Sequence, residues 1–103
     1  MDDNITAGLY SSRRRDSAAV VTVLGRDRKG IIAKVSAALY EHGANILDLS
    51  QTVLDDMFNM VMLVDIGDTD FNAVQTRLEA LGRDIGQQIR IQRGEIFDAM
   101  HRV

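Results

Sequence analysis

Between Ala18 and Arg93 the apolar residues switch repeatedly between the two-residue repeat of a strand and the 3.6-residue repeat of a helix, and the order of those switches leaves few possible folds. The first segment, Ala18-Ala19-Val20-Val21-Thr22-Val23-Leu24, is β-rich and apolar on both faces, the pattern of a central strand. Gly25-Arg26-Asp27-Arg28-Lys29-Gly30 reads as a loop. Ile31, Ile32, Val35, Ala38 and Leu39 then share one helical face, which Gly43 can close in the left-handed conformation. Ile46 to Leu54 alternates imperfectly, and Asp55-Asp56 marks a tight turn. A third strand, Phe58 to Ile66, sets Phe58, Met60, Met62, Val64 and Ile66 on one face. Gly67-Asp68-Thr69-Asp70 supplies a turn and helix caps, and Phe71, Val74, Leu78 and Leu81 mark a second helix that the pattern ends at Gly82. Gln87 to Arg93 alternates as a fourth strand, and Gly94 opens a short last helix with Ile96, Phe97 and Met100 on one side.

This order predicts an α+β fold of the ferredoxin-like βαββαβ kind: a four-stranded antiparallel sheet with two helices on one face, plus the short C-terminal helix. The two-faced first strand then sits centrally and Ile46–Leu54 lies on an edge. A long edge strand with a single charge is a sticky surface that proteins normally protect. The opposite edge, Gln87–Arg93, is polar and carries two arginines, so the asymmetry points to a partner on the Ile46–Leu54 side. A two-fold homodimer is the economical expectation, with Leu47, Leu49, Gln51 and Val53 at the interface; the Val61/Leu63 face offers a face-to-face alternative.

At 103 residues the chain holds one domain, placed at 18–103 and preceded by a polar tail over 1–17. The Arg13–Arg15 run in that tail reads as part of a solvated leader in preference to a phosphate-touching arm. With 46% hydrophobic residues there is enough for a real core, yet a domain this small buries only about 60–65% of its unfolded surface, so extra burial from a second subunit is expected. A net charge of -3 argues against general affinity for nucleic acid or anionic membrane. The chain has no cysteine, which excludes disulfides and Cys-based metal sites, and His42 and His101 lie far apart without a paired carboxylate pattern. No apolar run approaches the ~20 residues of a membrane helix and the start lacks a secretory apolar region, so a cytoplasmic protein is expected.

The informative segment is Asp27-x-x-Gly30-Ile31-Ile32, followed after the helix by Gly43-x-Asn45-Ile46. In these residues, and over Ala18–Arg93 as a whole, the chain resembles the ACT family; ILDLSQTVL (46–54) and GEIFDAM (94–100) make it similar to short stand-alone ACT proteins and to glycine-cleavage-system repressor-like proteins. The resemblance implies a non-catalytic regulatory domain that binds an amino acid or similar small anionic metabolite between the first loop and the second strand, at a subunit interface. The implied ligand set is Asp27, Lys29, Gly30, Ile31, Ile32 and Asn45, with no cofactor and no metal. Lys29 stands where many members carry proline, which implies a less rigid loop.

Elementary chemistry supports the same place. A helix start leaves backbone N–H groups unpaired and carries partial positive charge, suiting a carboxylate. Gly30 lets a ligand approach the backbone, the Asn45 carboxamide both donates and accepts, and Asp27 suits an ammonium. Each residue also has a plainer use: Asp27 could cap the helix, Gly30 could serve loop packing, and Asn45 could satisfy the turn after Gly43. Met60 and Met62 read as core filler.

Other functions share this element order. Acylphosphatases need a glycine-rich phosphate loop after strand one, which Arg26–Gly30 does not supply, and no Ser/His/Asp or Cys/His set is apparent. RNA-recognition modules need aromatics on the central strands within a basic surface; Ala18–Leu24 has none. The rival reading is a ligand-free interaction module that dimerises and docks on an enzyme or regulator. Either way, a chain of this length is expected to regulate in trans, or to buffer or report a metabolite through its own assembly.

Overall fold

A computed structural model describes residues 17–94. Six elements follow one another: β1 (Ala18–Arg26), α1 (Ile31–Glu41), β2 (Asn45–Leu54), β3 (Met57–Asp65), α2 (Phe71–Ile85) and β4 (Gln87–Arg93). They form one antiparallel sheet in the order β2-β3-β1-β4, so β1 is central and β2 and β4 are the edges, as its apolar pattern and their compositions require. Residues 1–16 of the tail expected over 1–17, and the helix expected beyond Gly94, lie outside the described residues.

Both helices cover the same side of the sheet. Ala19, Val21 and Val23 of β1, Phe58, Met60, Met62 and Val64 of β3, and Ile89 and Ile91 of β4 form one cluster with Val35 and Leu39 of α1 and Val74, Leu78 and Leu81 of α2. Met60 and Met62 are fully buried in it, where an unbranched thioether fills space left by the branched residues around it. Arg93 lies over the Phe71 ring, 4.3 Å from its centroid, closing one end of that core.

The helix ends are built differently. Asp70 accepts a hydrogen bond from the Asn72 N–H at 3.2 Å and so caps α2. Gly43, at φ 74, ends α1 with the Gly43 and Ala44 N–H groups donating to the Tyr40 and Leu39 carbonyls, each at 3.0 Å, which satisfies two orphan acceptors. The start of α1 has no side-chain cap at all: its N-cap is Gly30, in the left-handed region at φ 85.

The structure moves two of the expected boundaries by two or more residues. Helix α2 does not end at Gly82 but runs on to Ile85, with Gly86 at φ 72 as its left-handed cap. Gly82 is instead a point of close approach, since a Cβ there would stand 2.5 Å from the Gln87 carbonyl oxygen on the incoming strand. Strand β1 continues through Arg26, two residues past the expected Leu24, because Gly25 and Arg26 still pair with Phe58 and Met57. The imperfect alternation of β2 also has a local cause. Ile46 pairs with Val64 and Asp48 with Leu63, so Leu47 is the extra residue of a bulge.

Candidate ligand site and its relatives

The loop between β1 and α1 is held from two sides. The Asp27 N–H donates to the Asp56 carbonyl at 2.7 Å, tying the loop to the β2–β3 hairpin. The Arg28 guanidinium donates to the Ile85 carbonyl at 2.8 Å, satisfying one acceptor at the C-terminal end of α2. Arg26 also pairs with Asp56 at 2.7 Å, but both side chains are largely exposed and such a pair contributes little. These anchors do part of what a proline at position 29 would do for loop rigidity. Arg28 is the site residue that sequence reasoning missed; its acceptor lies 57 residues further along the chain, so no local pattern signals it.

Beyond the anchors the loop is open. Asp27, Lys29 and Gly30 are exposed, and a Cβ on Gly30 would meet only the Lys34 Cε, at 3.7 Å. Gly30 is therefore required by its backbone conformation and not by crowding. Ile31 sends its side chain into the core and offers only its backbone N–H, whereas Ile32 is 40% exposed. Asp27 does not cap α1, which leaves the N–H groups of its first turn without side-chain partners.

Asn45 is elsewhere. It opens β2 opposite Asp65, which also faces Ala18, while the Asp27 loop follows Arg26, opposite Met57. Met57 and Asp65 are eight strand steps apart, about 27 Å at the usual rise. Within one chain the structure thus gathers Asp27, Lys29, Gly30, Ile31 and Ile32 and leaves Asn45 at the far end of the sheet. A single-chain clamp between the loop and the neighbouring strand is not what this fold makes. Two concave surfaces among the described residues, one lined by Glu79, Arg83 and Arg90 among others and one by His42, Asp70 and Arg77, include none of these residues.

The edge residues are accessible. Leu49, Gln51 and Val53 pair with Met62, Met60 and Phe58 and so lie on the helix-bearing side of the sheet, beyond the reach of the helices. Leu49 is 36% and Val53 46% exposed. On α1, the Glu41–Arg77 contact marks the side facing α2, and helical spacing turns Ile32 and Ser36 the other way, toward β2, while Tyr40, 82% exposed, faces solvent. Leu47, displaced by the bulge, is half-buried.

An ACT-domain family model matches residues 17–92. The chain belongs to the ACT-domain family. A UPF0237 protein of Bifidobacterium longum is 53% identical to it over 87 residues, which are 82% of this chain and 97% of that relative. A UPF0237 protein of Methanocaldococcus jannaschii is 47% identical over 89 residues, 84% of this chain and 99% of the relative. Each relative thus consists of little beyond this unit, a stand-alone ACT domain. Among solved structures, an ACT domain protein from Streptococcus pneumoniae superposes with a TM-score of 0.70 at 43% identity, covering 78% of this chain and 92% of that one. A protein described as a glycine cleavage system transcriptional repressor superposes at 0.68 with 27% identity, over 73% of this chain and 44% of its own length. The ACT domain is a regulatory domain type. Among the described residues no helix is long and apolar enough to cross a membrane.

Proposed function

We propose that this ACT-domain protein is a non-catalytic cytoplasmic sensor whose ligand site is completed only when two copies meet along β2. The observation that carries the reading is the placement of Asn45 at one end of β2 and the uncapped start of α1 near the other. If two β2 edges pair antiparallel about a two-fold axis normal to the sheet, the ends reverse, and Asn45 of each copy is carried toward the loop of its partner. The exposed apolar seam of Ile32, Leu49 and Val53 runs along the same side and would be covered by the same pairing.

The chemistry of the two halves is complementary. The α1 N–H groups and the positive end of the helix dipole suit a carboxylate, and Asp27 suits an ammonium. The Asn45 carboxamide can bond to either. An α-amino acid matches this arrangement, and the signal would pass in trans to an enzyme or regulator that recognises the liganded dimer.

A thermal-shift panel of the common amino acids tests the reading. At 100 times its dissociation constant a ligand adds about 2.7 kcal/mol of stability. At least one amino acid is expected to raise the melting temperature, and Asn45→Ala is expected to abolish that rise. A flat panel in wild type and variant alike would leave the rival, a ligand-free docking module, as the better account.

A further inference from the structure

Strand β4 is the second edge of the sheet, and α2 overhangs it. Gln75, Glu79 and Arg83, at steps of four along α2, form one wall of a groove of about 540 Å³ whose floor is the edge of β4 from Gln87 to Gln92. That floor is held in place. Ile89 and Ile91 are each 5% exposed in the core, and the buried Gln87 side chain donates from Nε2 to the Arg26 carbonyl at 2.7 Å. Among the described residues β4 pairs only with β1, so alternate residues turn their N–H and C=O groups outward along the groove. A main-chain ladder needs such a ready-made strand, which requires no further ordering when a partner arrives.

Charge selects the partner. Arg90 is the middle residue of the seven in β4. A second copy pairing its own β4 antiparallel in full register would therefore set Arg90 against Arg90, like charges directly opposite, which disfavours a copy at this edge. Arg83 and Arg90 are both exposed, and neither makes an ion pair among the described residues. Glu79 is the one carboxylate among the lining side chains. We infer that this groove takes an extended acidic segment of another protein, added to the sheet as a fifth strand beside β4. A carboxylate of that segment lies opposite Arg90 on the outer face of the sheet, and its small side chains turn toward α2. Such a partner gains the ladder and the charge together, whereas a second copy gains the ladder against repulsion. Edge β2 stays free for self-association. The inference stands on the β4 edge alone and does not depend on the ligand reading.

Synthetic peptides titrated into the isotope-labelled full-length protein provide the test. An end-capped nonapeptide alternating threonine and glutamate is expected to shift the amide resonances of Gln87 to Gln92 and of Arg83. It should bind about tenfold more tightly than the same peptide with lysine in place of glutamate, a difference that shrinks in high salt. A strand turns alternate N–H groups to opposite sides. Of two versions methylated on the backbone nitrogens of one residue type or the other, one should therefore lose binding and the other keep it. Arg90→Glu should reverse the preference toward the lysine peptide, a gain that misfolding cannot produce. The proposal is overturned by equal binding of the two charged peptides, by binding of neither, or by shifts confined to β2. It is equally overturned if both methylated versions behave alike, or if Arg90→Glu leaves the preference as it was.

Discussion

Glycines carry much of the residue-scale argument, and they do so for two different physical reasons. Gly30 sits at φ 85 in open surroundings, so any side chain there is strained by its own backbone. Gly82 has ordinary helical dihedrals and is constrained by space, because its Cα faces the Gln87 carbonyl oxygen. Gly82→Ala sets two effects against each other. Alanine improves helix propensity by about 1 kcal/mol, while forcing a methyl against backbone that cannot swing aside costs about 1–3 kcal/mol. The clash wins, and a net loss of about 1 kcal/mol or more is expected from the urea midpoint. An unchanged or raised midpoint would show that the β4 start yields easily. The same pair explains a misread boundary. Periodicity ended α2 at Gly82 because glycine commonly terminates helices, and only the return of β4 across the helix shows why glycine is needed inside it. Asp27, Gly30 and Asn45 were legible as polar or permissive residues at telling positions. Their spatial relation was not, since it depends on which end of the sheet each strand enters.

At the scale of elements, β1 and β2 account for most of what the sequence revealed and most of what it hid. The two-faced apolar run of β1 placed it centrally, and its helix-facing half is the core. Its other half, Ala18 and Val20, is buried on the opposite face of the sheet, and a pattern of hydrophobicity cannot separate the two faces. The broken alternation of β2 has its cause in the bulge at Leu47, which the pattern alone did not identify. Past the bulge, Leu49, Gln51 and Val53 share one face, bordered by Ile32 of α1, and this seam is where the dimer is expected to form. Leu49→Lys places two like charges in a two-fold interface, where desolvation and repulsion act together. Sedimentation velocity should show monomers for this variant at micromolar concentration, with an unchanged far-ultraviolet spectrum. Gln88→Lys on the opposite edge should leave the assembly intact. A wild-type protein that sediments as a monomer at the same concentration would remove the premise.

For the whole molecule, the decisive matter is whether one ligand site draws on one chain or two. The sheet separates the α1 start from Asn45 by about 27 Å of strand, a gap no side chain bridges, so a site using both must cross a subunit boundary. Mixing two defective proteins tests this without knowing the dimer geometry. Asp27→Ala spoils the loop half of a site and Asn45→Ala the strand half, and each alone should lose ligand binding. In a mixed dimer, one site pairs both defects and the other pairs the intact loop of the Asn45→Ala chain with the intact Asn45 of the Asp27→Ala chain. Random exchange makes about half the dimers mixed, so about a quarter of the wild-type number of sites should return. Isothermal titration of the equilibrated mixture reads that fraction directly as stoichiometry, at an affinity close to wild type. Recovery requires subunit exchange, which a tagged wild-type chain can verify in the same buffer. If exchange is complete and no sites return, the two residues serve separate purposes, and Asn45 reverts to a turn residue at the head of β2.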